Sequence, residues 1–423
     1  MEASPSPEKP ALPKSRTEYL DGVRGVASLI VFALHWTHVY YPSVNSSWGY
    51  KDNTSLWLLP FVRLIYSGAA MVAVFFVVSG FVLSHRFIQR MHRHEYPELF
   101  ASLSSITFRR AIRLFLPAFA SSLLAYICTD LDLVSVPNKV DGKHFTHGLA
   151  AYFDFLDMES DPWNWDVSFF GFYNPQLWSI AVEFRGSMVV FLLIVALARV
   201  RPVVRLGVEG LLVLHGFTHK RWDAALFVVG MIIAEIEILY PRGPQSPSKK
   251  RMTDIVLYLT LTLGVFLSGY PRDGNTETPG YMWSQYVWPY TAYRRRFWLA
   301  VGSILIVAPM AFLPVVQGLF LTRPARYLGR ISFALYLVHG LGNRTIGTWI
   351  TGACWSIFGH EGDWQYAISF AIATVTYVPI VIWASDIFWR AVDIPSTDLA
   401  KWFEKKCLSP SPNPTLERPR FMA

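Results

Sequence analysis

The sequence predicts an all-α, polytopic membrane protein with about ten transmembrane helices around a central polar tunnel. Of its 423 residues, 52% are hydrophobic and 16% are charged, a balance that excludes an ordinary soluble domain. Several apolar runs are long enough to cross a bilayer. The first of them nevertheless contains Arg24 and His35, and ionisable side chains at that depth are expensive unless they face a polar interior.

The apolar runs follow one another along most of the chain. Residues 1–18 are rich in proline and charge, which predicts a disordered tail. Residues 129–176 form a long loop rich in aspartate and aromatic side chains, where we expect short helices lying across the membrane surface. The predicted spans are residues 19–41, 66–86, 109–128, 177–199, 203–217, 223–240, 253–270, 297–320, 329–344 and 365–390.

The loops between these runs predict the topology. Basic residues gather before the first span, in residues 242–251 and 323–330, and after Lys401, all on one side of the membrane. We therefore expect a membrane domain at residues 19–398 between two cytosolic tails, residues 1–18 and 399–423, in the plasma membrane or an endomembrane. The basic triplet at residues 294–296 falls on the opposite side and disagrees with this topology. The net charge of +8 is explained by these loops, and no nucleic-acid partner is expected.

The first span carries the most informative spacing. Arg24 and His35 are eleven residues apart, which is about three helical turns or roughly 16 Å, so both side chains lie on one face. One helix thus presents a cation near one membrane surface and an imidazole deep within. A buried histidine can also be satisfied by a neighbouring helix.

Two further spans contribute charged candidates. Arg110 and Arg113 are three residues apart and share a helix face, and their planar guanidinium groups suit a phosphate, although the positive-inside rule also explains cytosolic arginines. Glu183 lies inside the fourth span and needs a partner, a proton or a function. Arg185 is two residues away and points elsewhere on a helix, so we expect the partner of Glu183 to come from another span.

The ninth span carries a polar stripe. Ser332, Tyr336 and His339 are spaced by four and three residues, which aligns them on one helix face. The stripe is either a hydrogen-bonding seam between helices or part of a functional site. Ser79 and Gly80 are more typical of close helix packing than of a nucleophile. The three cysteines show no paired spacing, and no metal site is expected.

Five motifs in order resemble the acyltransferase-3 family of integral membrane O-acyltransferases, over about residues 18–398. The motifs are LDGVRGVA at 20–27 with His35 following, FFVVSGF at 75–81, Arg110-x-x-Arg113, WSIAVE at 178–183, and GRISFALYLVH at 329–339. Two departures from the family pattern are Arg185, close after Glu183, and Asp393-Ile394-Pro395 in place of Glu-x-Pro. No soluble domain follows the last span in this sequence, so we expect transfer to occur within the membrane domain.

The resemblance implies transfer of an acyl group, most often acetyl, from acyl-coenzyme A to a hydroxyl. It implies a catalytic role for His35, to which we add Glu183 and His339 as catalytic candidates. It also implies donor binding by Arg24, Arg110 and Arg113, with Ser332 and Tyr336 as further binding candidates. Acyl-coenzyme A is then a substrate, and no permanently bound cofactor is expected.

The chemistry of the residues agrees with this expectation but leaves alternatives open. A thioester is already activated, so the site needs a base for the incoming hydroxyl and a cationic grip on the donor. His35 serves either as that base or as an acyl-carrying nucleophile. We expect a hydroxylated small molecule such as a secondary metabolite as acceptor, with a sugar or glycan as the alternative. A secondary transporter and a nonenzymatic scaffold are the competing protein classes.

Overall fold

The computed structural model describes residues 17–134, 139–140, 143–144, 149–163, 173–241, 246–289 and 293–408, and its architecture is helical. The first half contains α1 (Glu18–Tyr40), α2 (Gly68–His92), α3 (Tyr96–Asp130), β1 (Lys139–Val140), β2 (Lys143–His144), α4 (Leu149–Ser160), α5 (Trp178–Leu197), α6 (Pro202–Thr218) and α7 (Trp222–Leu239). The second half contains α8 (Pro247–Ser268), α9 (Arg294–Met310), α10 (Pro314–Phe320), α11 (Arg323–Gly342), α12 (Thr348–Phe358), α13 (Asp363–Phe388) and α14 (Ile394–Cys407). The two short strands pair in antiparallel fashion, with Lys139 opposite His144.

The all-α, polytopic membrane architecture is confirmed, but the count of ten spans is not. Within the described ranges, five helical segments are long and apolar enough to cross a membrane, or six if α9 and α10 count as one bent span. Among the other predicted spans, α6 is short, with 17 residues. The 18 residues of α7 include three acidic side chains, at positions 223, 235 and 237. Both helices still pack in the bundle, with the acidic side chains of Glu209 in α6 and Glu235 in α7 buried.

Several boundaries differ from the sequence prediction. The third helix begins at Tyr96 rather than near residue 109, and the extra turns bury Leu99 and Leu103. The single span predicted for residues 297–320 is broken into α9 and α10, which bend by 105°. Pro314 begins α10, where its missing N–H is tolerated.

The predicted loops and tails are only partly described. The long loop contains the 12-residue helix α4, in line with the expected short helices. A disordered tail was predicted for residues 1–18. Residues 1–16 of this tail lie outside the described residues, and Glu18 already begins α1. At the other end, α14 continues to Cys407, so residues 399–407 of the predicted tail are helical.

Close helix packing explains why the glycine-containing motifs occur where they do. A side chain on Gly25 in α1 would collide with the backbone nitrogen of Gly329 in α11, so these two helices touch backbone to backbone. A side chain on Gly80 would collide in the same way with the backbone of Phe227 in α7, which confirms its predicted packing role. The contact between α1 and α11 brings the C-terminal half of α1 beside the polar stripe of α11.

Candidate active site

His35 lines a cavity of about 240 Å³ in the helix bundle. The side chain of His35 is exposed, and the other cavity walls are formed by residues from α2, α5, α7, α9 and α11. Tyr336, Trp178 and Trp222 are among them. His35 has no hydrogen-bond partner among the described residues, so its ring nitrogens remain available to a ligand in the cavity.

His339 is buried beside His35 without lining the cavity itself. The two ring centroids lie 5.2 Å apart. The Nδ1 of His339 is 3.0 Å from the carbonyl oxygen of Leu335, to which it must donate, so in the neutral ring Nε2 is the acceptor. This Nε2 is buried and has no partner within the described ranges. The pair therefore brings together two imidazoles from different helices, with His35 lining the cavity and His339 buried next to it.

The residues in the polar stripe of α11 have different roles. Tyr336 lines the cavity, and its hydroxyl donates to the carbonyl oxygen of Gln176 at 2.7 Å. The hydroxyl of Ser179 is also 2.7 Å from that of Tyr336. Ser332 is buried and donates to the carbonyl oxygen of Gly329 in its own helix. Tyr336 is thus a positioned wall residue, whereas the hydroxyl of Ser332 is satisfied locally.

The three arginines at positions 24, 110 and 113 lie close enough to interact electrostatically, and we call them the Arg24 cluster. Arg110 pairs with Glu183 at 2.7 Å and its Nε donates to Ser187 at 3.0 Å. Arg24 is 3.9 Å from Asp21, and Arg113 is exposed with the carboxylate of Asp393 nearby.

The expectation that Glu183 finds its partner in another span is therefore confirmed. The charge of Glu183 is directed at Arg110 in α3, and the structure shows no hydrogen bond from Glu183 to either histidine in the described chain. Arg185 points away from it and pairs with Asp223 in α7. Glu183 is thus placed with the arginines rather than beside His35.

One face of α5 links the Arg24 cluster to the cavity. Ser179, Glu183 and Ser187 are spaced by four residues, so they form a stripe with about 6 Å between neighbours. Ser179 contacts Tyr336 at the cavity, and the other two contact Arg110. Arg24, Arg110 and Arg113 are not among the described residues that line the cavity itself. Polar side chains on one face of α5 therefore lie between the Arg24 cluster and the cavity.

Arg295 and Arg296 were missed as site residues. Both line the cavity that contains His35, although 260 positions separate Arg295 from His35 in the chain. The available signal was the basic triplet at residues 294–296, which disagreed with the predicted topology.

The described residues contain no group of three or more metal-ligating side chains that could hold a metal ion. The functional side chains that the structure places at the site are imidazoles, hydroxyls and guanidinium groups. Neutral imidazoles accept protons, and arginine clusters bind phosphate or carboxylate.

Comparison with known families identifies the family of this chain. The sequence model of the family described as an acyltransferase domain matches residues 17–390. The chain belongs to the acyltransferase-3 family. The protein is therefore an acyltransferase of a kind that does not transfer aminoacyl groups, which removes the transporter and scaffold alternatives. Its matched region contains the histidine pair, the Arg24 cluster and the arginines of α9.

Three fungal relatives resemble this acyltransferase over nearly their whole length. An O-acetyltransferase, PaAT-1, from Phomopsis amygdali is 25% identical, covering 94% of this chain and 86% of the relative. Acyltransferase R4 from a Phoma species is 24% identical, covering 91% and 95% respectively. Acyltransferase clz18 from Cochliobolus lunatus is 26% identical, covering 90% and 94%. No solved structure matches the chain at the significance that these relatives reach.

Proposed function

We propose that this enzyme is an O-acetyltransferase that moves an acetyl group from acetyl-coenzyme A to a hydroxyl of a small molecule such as a secondary metabolite. The observation that carries the proposal is the position of His35, unbonded in a cavity beside His339, about three turns along α1 from Arg24. This distance suits a donor whose phosphates are held at one end and whose thioester reaches to the other. The name of the Phomopsis amygdali relative supports acetyl as the transferred group.

In the proposed reaction the Arg24 cluster binds the phosphates of coenzyme A. Arg113 is exposed and Arg24 is half-buried, so both are accessible to a large anion. Arg110 is already paired with Glu183, so its role is to fix the position of the cluster and to share its charge with the ligand. We infer that this end faces the cytosol, where acyl-coenzyme A is available.

His35 acts on the acceptor hydroxyl. Its free ring nitrogen accepts the hydroxyl proton as the oxygen attacks the thioester carbonyl carbon. The C–O bond forms, the C–S bond breaks, and the proton passes from the imidazolium to the coenzyme A thiolate. The unpartnered Nε2 of His339 is buried next to His35, where it is placed to accept a hydrogen bond from the His35 ring. In the alternative route, His35 takes the acetyl group first and the acceptor removes it from the acyl-imidazole.

The test is coenzyme A release by the purified full-length protein with acetyl-coenzyme A and extracted metabolites as acceptors. His35→Ala should lower turnover by about 10²-fold to 10⁴-fold, the range for loss of a general base. His38→Ala is the matched control, because His38 lies one turn away, is exposed and bonds Asn45 at 2.8 Å. Equal turnover by His35→Ala and the control, at equal protein level, would reject the proposal.

Two further measurements separate the finer alternatives. Rapid quenching with labelled acetyl-coenzyme A in the absence of acceptor traps an acetylated protein only if His35 carries the group covalently. Comparison of metabolites from a deletion strain and its parent identifies the acceptor, since one compound should lose the mass of one acetyl group. If the compound that loses acetate in the deletion strain is a sugar or glycan, the alternative acceptor class is favoured.

A further inference from the structure

A small polar chamber adjoins the cavity that contains His35. Its volume is about 20 Å³, and it shares Leu34, Gly68 and Arg295 with the larger cavity. The Nε atoms of Arg63 and Arg295 and the hydroxyl oxygen of Ser268 are buried at residues lining this chamber. None of the three atoms has a hydrogen-bond partner in the part of the chain that the structure describes. Buried donors are almost always satisfied, so this chamber is a place for a hydrogen-bond acceptor, either an ordered water or an atom of a ligand.

The chamber is also strongly positive. Arg63, Arg272 and Arg296 lie close enough to repel the charge of Arg295, and we call these four residues the Arg295 cluster. Asp273 is the acidic side chain near Arg295 among the described residues. Arg295 and Arg296 moreover occupy the first turn of α9, where the helix dipole disfavours cations. Four guanidinium groups against one carboxylate leave an excess of positive charge.

The cluster is held in place before any ligand arrives. The two terminal nitrogens of Arg63 donate to the carbonyl oxygens of Ser46 and Val44, at 3.1 and 3.0 Å. These bonds fix the guanidinium and leave its buried Nε–H without an acceptor among the described residues. Arg295 spans both spaces, since it lines the chamber and the cavity. A ligand in the cavity can therefore reach Arg295 without a rearrangement of the helices.

We propose that the Arg295 cluster binds a carboxylate of the acceptor, so that the acceptor is a hydroxy acid whose hydroxyl lies beside His35. This inference rests on the acyl transfer proposed above and names the class of its acceptor. The carboxylate accepts hydrogen bonds from the guanidinium of Arg295 and neutralises part of the surrounding charge. Binding at one end of the acceptor then orients the hydroxyl at the other.

The size of the chamber favours a carboxylate over the phosphates of the donor. About 20 Å³ admits little more than one water-sized group, so the chamber can take one carboxylate oxygen while the rest of the group lies in the adjoining cavity. The phosphates of coenzyme A need a wider opening, such as the exposed surface around Arg113. The two clusters also lie toward opposite ends of α1, since Arg24 is near its start, while Arg63 bonds the segment that follows its end.

Calorimetric binding to the purified full-length protein tests the proposal. The probes are straight-chain ω-hydroxy carboxylates of increasing length, each compared with the diol of the same length. At the best-fitting length, the wild-type protein should bind the carboxylate at least about tenfold more tightly than the diol, a difference of about 1.4 kcal/mol. Arg295→Gln should abolish most of that preference. Arg294→Gln should retain it, because Arg294 lies in the same turn, lines neither space and bonds the carbonyl oxygen of Pro289.

Separate measurements of coenzyme A distinguish the possible failures. Arg295→Gln should leave coenzyme A affinity within about twofold of wild type, whereas weaker coenzyme A binding with unchanged carboxylate preference would overturn the inference. Equal binding of carboxylate and diol by the wild type would also overturn it, even if coenzyme A release proceeds normally. Carboxylate preference without any coenzyme A release would instead reject the proposed acyl transfer and leave the anion site standing.

Discussion

The two arginine clusters differ in how their charge is balanced. In the Arg24 cluster each guanidinium has a carboxylate nearby, with Glu183 at 2.7 Å from Arg110 and Asp21 at 3.9 Å from Arg24. In the Arg295 cluster four arginines have Asp273 as their acidic neighbour within the described ranges, and two Nε atoms are unbonded. A compensated cluster is stable when empty, whereas an uncompensated one gains stability when an anion binds.

This difference shows that arginine count alone does not define a binding site. A ligand at Arg110 must share or displace Glu183, so its binding energy is reduced by the partner that it disturbs. A ligand at Arg295 finds donors that have already lost water and have gained nothing in return. The motif that resembles the family marks the compensated end, and the end that no motif marks holds the less satisfied donors.

The largest expected effect comes from breaking the compensated pair. Arg110→Gln or Glu183→Gln alone leaves a mostly buried charge without its partner, and either should lower unfolding stability by about 3 kcal/mol. The double variant should recover most of that loss. Thermal unfolding of the detergent-solubilised protein measures the stability change, with coenzyme A affinity recorded alongside.

The double variant distinguishes a structural role of Arg110 from a role in donor binding. If Arg110 contributes charge to the donor site, the double variant regains stability while coenzyme A affinity stays below that of wild type. Recovery of both stability and affinity would show that Arg110 and Glu183 form a purely structural pair.

The opposite change in unfolding stability is expected at the Arg295 cluster. Arg295→Gln removes a guanidinium that is surrounded by like charges, so the ligand-free protein should become more stable by about 1 kcal/mol. The same thermal unfolding assay measures this gain, with Arg294→Gln as the control that changes net charge equally. A loss of stability in Arg295→Gln would contradict this expectation and show that the side chain stabilises the fold.

A buried carboxylate outside both clusters sharpens the comparison. Glu159 in α4 is buried, and burial raises the pKa of its carboxyl to about 8. Because the folded protein then holds this proton more tightly than the unfolded chain, stability should fall as pH rises from about 4.5 to about 8. A carboxylate can lose its charge by taking up a proton, whereas a guanidinium cannot, which is why Arg295 needs an anion and Glu159 does not.

Comparing wild type with Glu159→Gln isolates this contribution from other titrating groups. The difference in melting temperature between the two proteins should change between pH 5 and pH 8 in favour of the variant. A difference that is constant over this interval would show that the carboxyl of Glu159 keeps an ordinary pKa in the folded state.

The sequence predicted the parts of the fold and site that depend on local periodicity. Apolar runs located most of the helices, and helical spacing aligned Arg24 with His35 on α1. The sequence could not predict contacts between distant helices, because residue spacing does not say which face of α3 meets α5. The partner of Glu183 was therefore expected without being identified, and the approach of Arg295 to His35 was not expected at all. The break after α9 was missed because hydropathy continues through it.

The smallest expected effect concerns Asp21 and Arg24. These side chains are 3.9 Å apart and both are more than a third exposed, so their ion pair is weak and screened by solvent. Asp21→Asn should change unfolding stability by less than about 0.5 kcal/mol. Because it removes a carboxylate that competes with phosphate, the variant should bind coenzyme A as tightly as wild type or up to about threefold more tightly. Titration of coenzyme A at low and high salt measures the change, which should shrink as salt rises. A tenfold loss of affinity would instead show that Asp21 holds Arg24 in its binding position, and that this end of α1 depends on its carboxylates for geometry as well as for charge.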